Sequence, residues 1–214
     1  HFMAYRKTQH VRERLADTRK KILSSAIELV SENGWDEAQI SHVAASAGVA
    51  VGSVYRYFPS KADLFVEILS TVSQRELDVI TALTLQDEEP ATLLHATVST
   101  FVKRAMRNPR LAYAMIAEPC AKEVNKARLF YRHAISVRIM ELITLGQETK
   151  NLRPDIGADV AATVIVGGFM ESLIGPLSPL NTDFSSDNTP KQIAVNQLAN
   201  QIANACCAII FKNT

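Results

Sequence analysis

Helical spacing of apolar residues runs along almost the whole chain, and it limits the fold to a bundle of helices. Near the N-terminus, Ile22, Ala26, Leu29 and Val30 recur at i, i+4, i+7 and i+8, which is the spacing of one helix face. Residues 39–47 repeat this pattern, and no segment shows the strict alternation typical of a half-buried strand. Only 8 Gly and 8 Pro interrupt the 214 residues. We therefore predict an all-α fold.

Two short predicted helices meet at Gly48. Small side chains at Ala44 and Ala47 let the helices approach, while Val49 and Val54 fill the space between them. Gly48 supplies the positive φ that a tight turn requires. A glycine turn between two short helices is the geometry that places one helix in the major groove of DNA. Structural helical hairpins share it, so the turn alone does not decide the function.

Positive charge is concentrated at the N-terminus. Residues 1–21 carry seven Arg and Lys against two acidic residues, a net charge of +5, although the formal charge of the whole chain is only +1. The remaining residues therefore carry a net charge of −4. A basic segment on a nearly neutral body indicates a polyanionic partner that is met at one end. A solvated, disordered tail is the alternative interpretation.

The stretch AGVAVGSVYRYFPSKADLF, residues 47–65, resembles the DNA-binding domain of the TetR (tetracycline-repressor-like) family of bacterial regulators. Residues 19–69 share the order and spacing of that domain. The resemblance implies a three-helix helix-turn-helix domain joined to a helical domain for ligand binding and dimerisation. It divides the chain into a basic N-terminal arm at 1–18, the helix-turn-helix domain at 19–60, and the ligand-binding and dimerisation domain at 61–214.

The same resemblance assigns roles in DNA binding. Tyr55 and Tyr57 are expected to contact phosphate, sugar or base edges, and Lys61 is expected to hold a phosphate as a point charge. Core packing is the alternative for the two tyrosines. The full predicted DNA-binding set is Gln39, Ser41, Ala50, Val51, Ser53, Tyr55, Tyr57 and Lys61.

The presumed recognition surface departs from the family pattern. Ala50 and Val51 stand where the family often has Ser followed by Lys or another polar residue, and Ser41 stands where a basic residue is common. The surface is therefore poor in side chains such as Arg that read guanine with two hydrogen bonds. Apolar contact with thymine methyl groups is one way in which Ala50 and Val51 would contribute. Phosphate contacts and the basic arm are then expected to carry more of the affinity.

The C-terminal helices are expected to enclose a pocket for an apolar or aromatic effector. Aromatic residues and Met are frequent in residues 91–174 and suit such a ligand. The predicted ligand-binding set is Leu94, His95, Phe101, Tyr113, Glu118, Phe169 and Met170. Glu118 is the most suggestive polar member, because it follows an apolar run and precedes Pro119. Arg128 and Arg132, one turn apart, form either a solvated face or a site for a ligand carboxylate or phosphate.

Two charge-poor segments are candidates for a dimer interface. One carries Val160, Ala161, Val164, Ile165 and Gly168, and the last predicted helix carries a stripe of Ile193, Leu198, Ile202, Ala205 and Ile209. Two such helices, doubled by a two-fold axis, form a four-helix interface. An intrachain core is the alternative explanation of their apolar faces.

These patterns predict a homodimeric transcriptional regulator that binds double-stranded operator DNA and is released by a small-molecule effector. A regulator controlled by a protein partner, or one without a ligand, is the alternative. No Gly-rich phosphate loop, zinc-ligand spacing or nucleophile elbow is found, so we expect no enzyme, no cofactor and no metal. Three Cys, no evident secretory signal and no apolar run of about 20 residues predict a cytoplasmic protein without a membrane span.

Overall fold

A computed structural model describes residues 2–180 and 190–211. Every regular element within these ranges is an α-helix, which confirms the predicted all-α fold. The helices are α1 (Phe2–Asn33), α2 (Ile40–Ala47), α3 (Val51–Tyr57), α4 (Lys61–Thr84), α5 (Pro90–Ala105), α6 (Pro109–Ile116), α7 (Lys122–Glu148), α8 (Ala158–Leu177) and α9 (Pro190–Cys207).

Several helix ends follow from local sequence signals. The Ser60 side chain accepts a hydrogen bond from the Asp63 backbone N–H at 3.0 Å and thereby caps α4, as the sequence predicts. Pro90 opens α5 in the first turn, where its missing N–H has no cost. The Asn108 side chain caps α6 by accepting from the Leu111 N–H at 3.1 Å.

Helix α1 is longer than the sequence pattern indicates. We expected its first turn near Arg19, after a separate arm, but the helix is continuous from Phe2. Residues 11–17 are exposed along their whole length, so they have no buried face from which a helix could be recognised. The basic side chains of Arg12 and Arg14 therefore extend from the domain on a helix.

Two hydrophobic clusters divide the packing. The DNA-binding cluster contains the buried side chains of α1, α2, α3 and the first half of α4, and it also takes in Ala114 and Met115 of α6. The C-terminal cluster joins Ile80 of α4 to α5, α7, α8 and α9. Helix α4 enters both clusters, with Leu69 in the first and Ile80 in the second.

Helix α8 is unusually apolar. The helix has 20 residues, and an 18-residue window within it has a mean hydropathy of 1.6, so it could cross a membrane by length and composition alone. In this fold the inner face of α8 packs against α7 and α9, and Ala161, Ile165 and Phe169 are fully buried there. Core packing therefore accounts for the apolar inner face of α8.

The proposed dimer stripes divide between two faces. Ala161 and Ile165 of α8 and Ile202 of α9 belong to the C-terminal core, so their assignment to an intermolecular surface was wrong. Gly168 faces α9, where an added Cβ would lie 3.1 Å from Cys206 Sγ. Val160 and Val164 point outward and are about half exposed. Sequence periodicity did not separate these two faces because α8 is apolar on both.

Candidate DNA-binding surface and ligand cavity

The turn between α2 and α3 is built as the sequence predicts. Gly48 adopts φ 63° and ψ 40°, and its N–H donates to Ala45 O at 3.1 Å. An L-residue with a side chain adopts this left-handed conformation at a cost, which explains glycine at the turn. Val43 and Val54 are fully buried across the turn and fix the angle between the two helices.

One face of α3 is free of packing contacts with the domain. Val51 and Tyr55 expose nearly half of their side chains, and Ala50 at the helix start is also exposed. Arg56 in the last turn is exposed too, although it was absent from the predicted set. Its position next to Tyr55 in the motif was the signal that could have identified it. The exposed face thus offers one aromatic, one cationic and several small apolar groups.

Ser53 and Tyr57 are half-buried. Tyr57 packs against the DNA-binding cluster, so it has a structural role whatever it does for DNA. Ser53 lies one helical turn before it. The structure therefore separates the two predicted tyrosines, because Tyr55 faces outward and Tyr57 lies partly within the fold.

Lys61 and Gln39 connect the starts of α4 and α2. Lys61 Nζ donates to Gln39 Oε1 at 3.0 Å, and the ammonium lies 5.1 Å from the centre of the Phe65 ring. Gln39 Nε2 in turn donates to Asp36 O at 2.8 Å. Ser41 is exposed on the first turn of α2. These contacts hold a cation beside two helix N-termini, which is a suitable arrangement for a phosphate.

Helix α1 adds positive charge next to the turn. A Cβ on Gly48 would lie 3.7 Å from Lys21 Nζ, and Lys20 is exposed beside it. Arg19 stacks over the Phe58 ring at 4.9 Å and pairs with Glu67 at 3.1 Å. Of these cations, Lys20 and Lys21 are the more exposed.

A cavity of about 730 Å³, counted with its opening to solvent, lies between α4, α5, α6, α7 and α8. Most of its wall is apolar and is formed by Phe101, Met115, Ile116, Ile135 and Met170. Five helices contribute to the wall, so no single segment of the sequence encodes it.

Four charged residues lie in the cavity wall. Arg104 forms two hydrogen bonds to Glu76, at 2.7 and 2.8 Å, and this hydrogen bonding raises the pKa of Arg104. Arg128 and Arg132 of α7 form the opposite side. Burial lowers the pKa of the Arg128 guanidinium, and the nearby positive charge of Arg132 acts in the same direction.

The cavity brings together only part of the predicted ligand-binding set. Phe101 and Met170 line it, whereas Leu94 and Phe169 are fully buried in the C-terminal core beside it. The Phe169 ring packs 4.8 Å from that of Phe101 and supports the wall from behind. Residues such as Arg104 and Met115, which do line the wall, were not in that set.

The polar members of the predicted set lie elsewhere. A ring nitrogen of His95, Nε2, is 3.0 Å from Asn204 Oδ1 and ties α5 to α9. Tyr113 lies 5.9 Å from the Arg110 guanidinium. Glu118 forms an ion pair with Arg110. These three side chains contact other parts of the protein and do not line the cavity.

Glu118 and Arg110 join α6 to the DNA-binding domain. Glu118 Oε2 accepts a hydrogen bond from the Trp35 N–H at 3.3 Å, and Arg110 Nη2 donates to Asn33 O at 2.8 Å. The Trp35 indole Nε1 donates to Ala114 O at 3.0 Å. Helix α6 is therefore bonded directly to the end of α1, which sequence reasoning had not anticipated.

The chain thus combines an exposed helix-turn-helix surface with a cavity-bearing helical domain, as one-component regulators do. Residues 22–68 match the model of the bacterial regulatory proteins of the tetR family. The match assigns the helix-turn-helix segment to this family and covers about a fifth of the chain.

The transcriptional repressor KstR of Mycolicibacterium smegmatis is 38% identical over 103 residues, which is 46% of this chain and 48% of that protein. The match therefore spans about half the length of this relative.

Two solved structures of transcriptional regulators share the fold over most of the chain. FadR of Bacillus subtilis, in complex with stearoyl-CoA, superposes with a TM-score of 0.72 at 17% identity, over 88% of this chain and 97% of that one. SmeT of Stenotrophomonas maltophilia, in its triclosan complex, gives a TM-score of 0.72 at 16% identity, over 92% and 93% of the two chains. At these identities the likeness concerns the fold.

Proposed function

We propose that the protein is a homodimeric transcriptional repressor that binds operator DNA through α3 and leaves it when a small apolar effector occupies the cavity. One observation carries this proposal: Met115 belongs both to the DNA-binding cluster and to the cavity wall. A ligand in the cavity therefore touches a side chain on which the helix-turn-helix domain packs. The related KstR is named as a repressor, which supports the direction of the effect.

Helix α3 is the element that we assign to the major groove. Tyr55 would contact the phosphate backbone or a base edge from its exposed side, and Val51 would contact thymine methyl groups. Lys61 and Gln39, already joined to each other, would hold one phosphate. Lys20 and Lys21 would add contacts that depend on charge and not on sequence.

Two helices would transmit the state of the cavity to DNA. Helix α4 runs from Lys61, beside the DNA surface, through Val72 and Glu76 in the cavity wall. Helix α6 carries Met115, and near its C-terminal end Ala114 O accepts a hydrogen bond from the Trp35 indole. An effector acts on the equilibrium only if it binds the DNA-incompetent state more tightly, and a shift of either helix provides such a difference.

We assign the dimer interface to the outward face of α8. Val160 and Val164 are exposed apolar residues on this face, with Gly167 one turn further. The same face on a second chain would cover them in an isologous contact. Two recognition helices would then meet half-sites about 34–36 Å apart on one side of the duplex.

A DNA partner and free cysteines at 120, 206 and 207 are consistent with a reducing cytoplasm.

Selection of binding sites from random duplex DNA tests this function. We expect an inverted repeat that is bound with nanomolar affinity and with a steep loss of affinity as salt rises, because each phosphate contact releases counterions. Lys61→Ala should weaken binding to all sequences alike and reduce the salt slope by about 1. Failure to enrich any sequence, or an affinity that is flat from low to moderate salt, would refute DNA binding by this surface.

A further inference from the structure

The cavity wall has an excess of positive charge. Among its lining residues, Arg104, Arg128 and Arg132 are cationic and only Glu76 is anionic, which leaves a net charge of +2. The rest of the wall is mostly apolar. A positive excess inside an apolar site requires compensation, because buried charges are costly unless they are paired.

Two of the three guanidinium groups are compensated within the protein. Arg104 is matched by Glu76 through two hydrogen bonds. Arg128 caps the C-terminal end of α6, where its Nε donates to Met115 O at 2.8 Å and its Nη2 donates to Ala114 O and Glu118 O at 3.1 and 2.9 Å. The negative end of a helix dipole and its free carbonyls favour a cation at this position.

Arg132 differs from both. Its Nε is buried and has no hydrogen-bond partner among the residues that the structure describes. Its Nη2 reaches only Ile116 O, at the long distance of 3.4 Å. A buried donor that lacks a partner loses its hydration without replacement, and the loss is larger for a charged group. Arg132 is therefore a cation in the cavity wall with hydrogen-bonding capacity left over.

We propose that the cavity binds an organic carboxylate with an apolar body, and that Arg132 holds the carboxylate group. This inference rests on the proposed function, since it names the class of effector for the same cavity. A planar guanidinium accommodates a carboxylate with parallel hydrogen bonds. Arg104 and Arg128 already use their donors within the protein, so Arg132 is the cation in the wall whose donors remain for the two oxygens of a carboxylate.

The apolar body has a defined place. Ile135 lies on α7 one turn beyond Arg132, and Phe101 and Met170 face it from α5 and α8. A molecule held at Arg132 by its carboxylate would therefore lay its hydrocarbon part between these side chains. It would also contact Met115 and Ile116 of α6, the helix that is bonded to the DNA-binding domain.

Matched acids and amides test the ligand class. Octanoate, decanoate and 4-phenylbutanoate, each beside its primary amide and with octyl phosphate as a further arm, are titrated into the full chain by calorimetry. We expect at least one acid to bind at least tenfold more tightly than its amide and than octyl phosphate. Arg132→Gln should abolish this preference. Arg138→Gln, on the same helix but paired with Glu141 outside the cavity, should retain it.

Three results would overturn the proposal: no acid binds at millimolar concentration, amides bind as well as acids, or the preference for acids survives in Arg132→Gln. Tighter binding of octyl phosphate than of the acids would indicate a phosphate site and would also refute the carboxylate assignment. Thermal unfolding of both variants checks that they are folded. Operator binding, measured in parallel without ligand, separates the two proposals, because intact DNA binding with no acid preference overturns only the ligand class.

Discussion

The helix-turn-helix region and the cavity region of the molecule differ in how their interiors are packed. Around α2 and α3, buried side chains such as Val43 and Val54 fill the space between helices, and the functional groups stand outside on an exposed face. Around the cavity, the helices leave an open apolar space and a buried Arg132 Nε that has no hydrogen-bond partner among the described residues. A filled core holds the helices in one geometry. At an unfilled site, a ligand that occupies the space contributes binding free energy.

This difference indicates how the ends divide their tasks. The helix-turn-helix presents a fixed surface, and the cavity supplies a binding free energy that can move that surface relative to a second copy. Helix α6 connects them through Met115 and through the bonds at Trp35. If the comparison holds, substitutions at the DNA end should change DNA affinity alone, and substitutions at the joint should affect both ends.

The largest expected effect comes from the outward face of α8. Val164→Asp places a charge on an exposed residue and should give monomers with an intact fold. Operator affinity should fall by about 10²–10⁴-fold, because the two half-sites are no longer linked. Sedimentation and operator titration measure the two effects.

Two controls define the interface. Val11→Asp alters a valine of equal exposure on α1 and should leave the dimer intact. Ile202→Asp places the charge in the C-terminal core and should lower the unfolding temperature in addition to any effect on assembly. A dimeric Val164→Asp protein would place the interface on another face.

The next effect concerns the recognition helix. Tyr55→Ala should weaken operator binding by about 1–3 kcal/mol, roughly 5- to 150-fold, without changing stability, because this side chain is exposed. Tyr55→Phe retains the ring and isolates the hydroxyl. Fluorescence anisotropy with the selected operator and thermal unfolding would be measured together. Unchanged affinity in the folded Ala variant would remove Tyr55 from the DNA surface.

The third effect concerns Gly34, which lies where the end of α1 contacts Arg110 of α6. This residue has φ 87°, and a Cβ there would overlap the Arg110 guanidinium that bonds to Asn33 O. Gly34→Ala should lower the free energy of unfolding by about 1–3 kcal/mol through backbone strain and displacement of Arg110. Gly52→Ala is the matched control, since no atom of the described residues outside its own helix backbone lies within 4 Å of its Cβ position.

The control should be neutral or more stable by about 0.5–1 kcal/mol, because alanine favours a helix more than glycine does. Denaturant unfolding compares the two variants. Equal stability of Gly34→Ala and the unchanged protein would mean that the contact between α1 and α6 contributes little.

The sequence was informative where structure depends on neighbours along the chain. The Gly48 turn was predicted correctly, and like the Ser60 cap and the start of α5 at Pro90 it depends on residues within one helical turn. The cavity wall depends on five helices between Val72 and Met170, so its membership follows from tertiary packing. Glu118 shows the same limit, because its partners are Arg110 and the distant Trp35.

A substitution that fills the cavity tests the central claim most directly, since it needs no knowledge of the effector. Ala112 lies on α6 in the cavity wall and is half-buried, so the indole of Ala112→Trp would occupy space that a ligand would take. Without any ligand, we expect a folded dimer whose operator affinity is at least about fivefold lower, the lower end of typical coupling between sites. An operator affinity equal to that of the unchanged protein, with the indole seated in the cavity, would contradict control of DNA binding by this site.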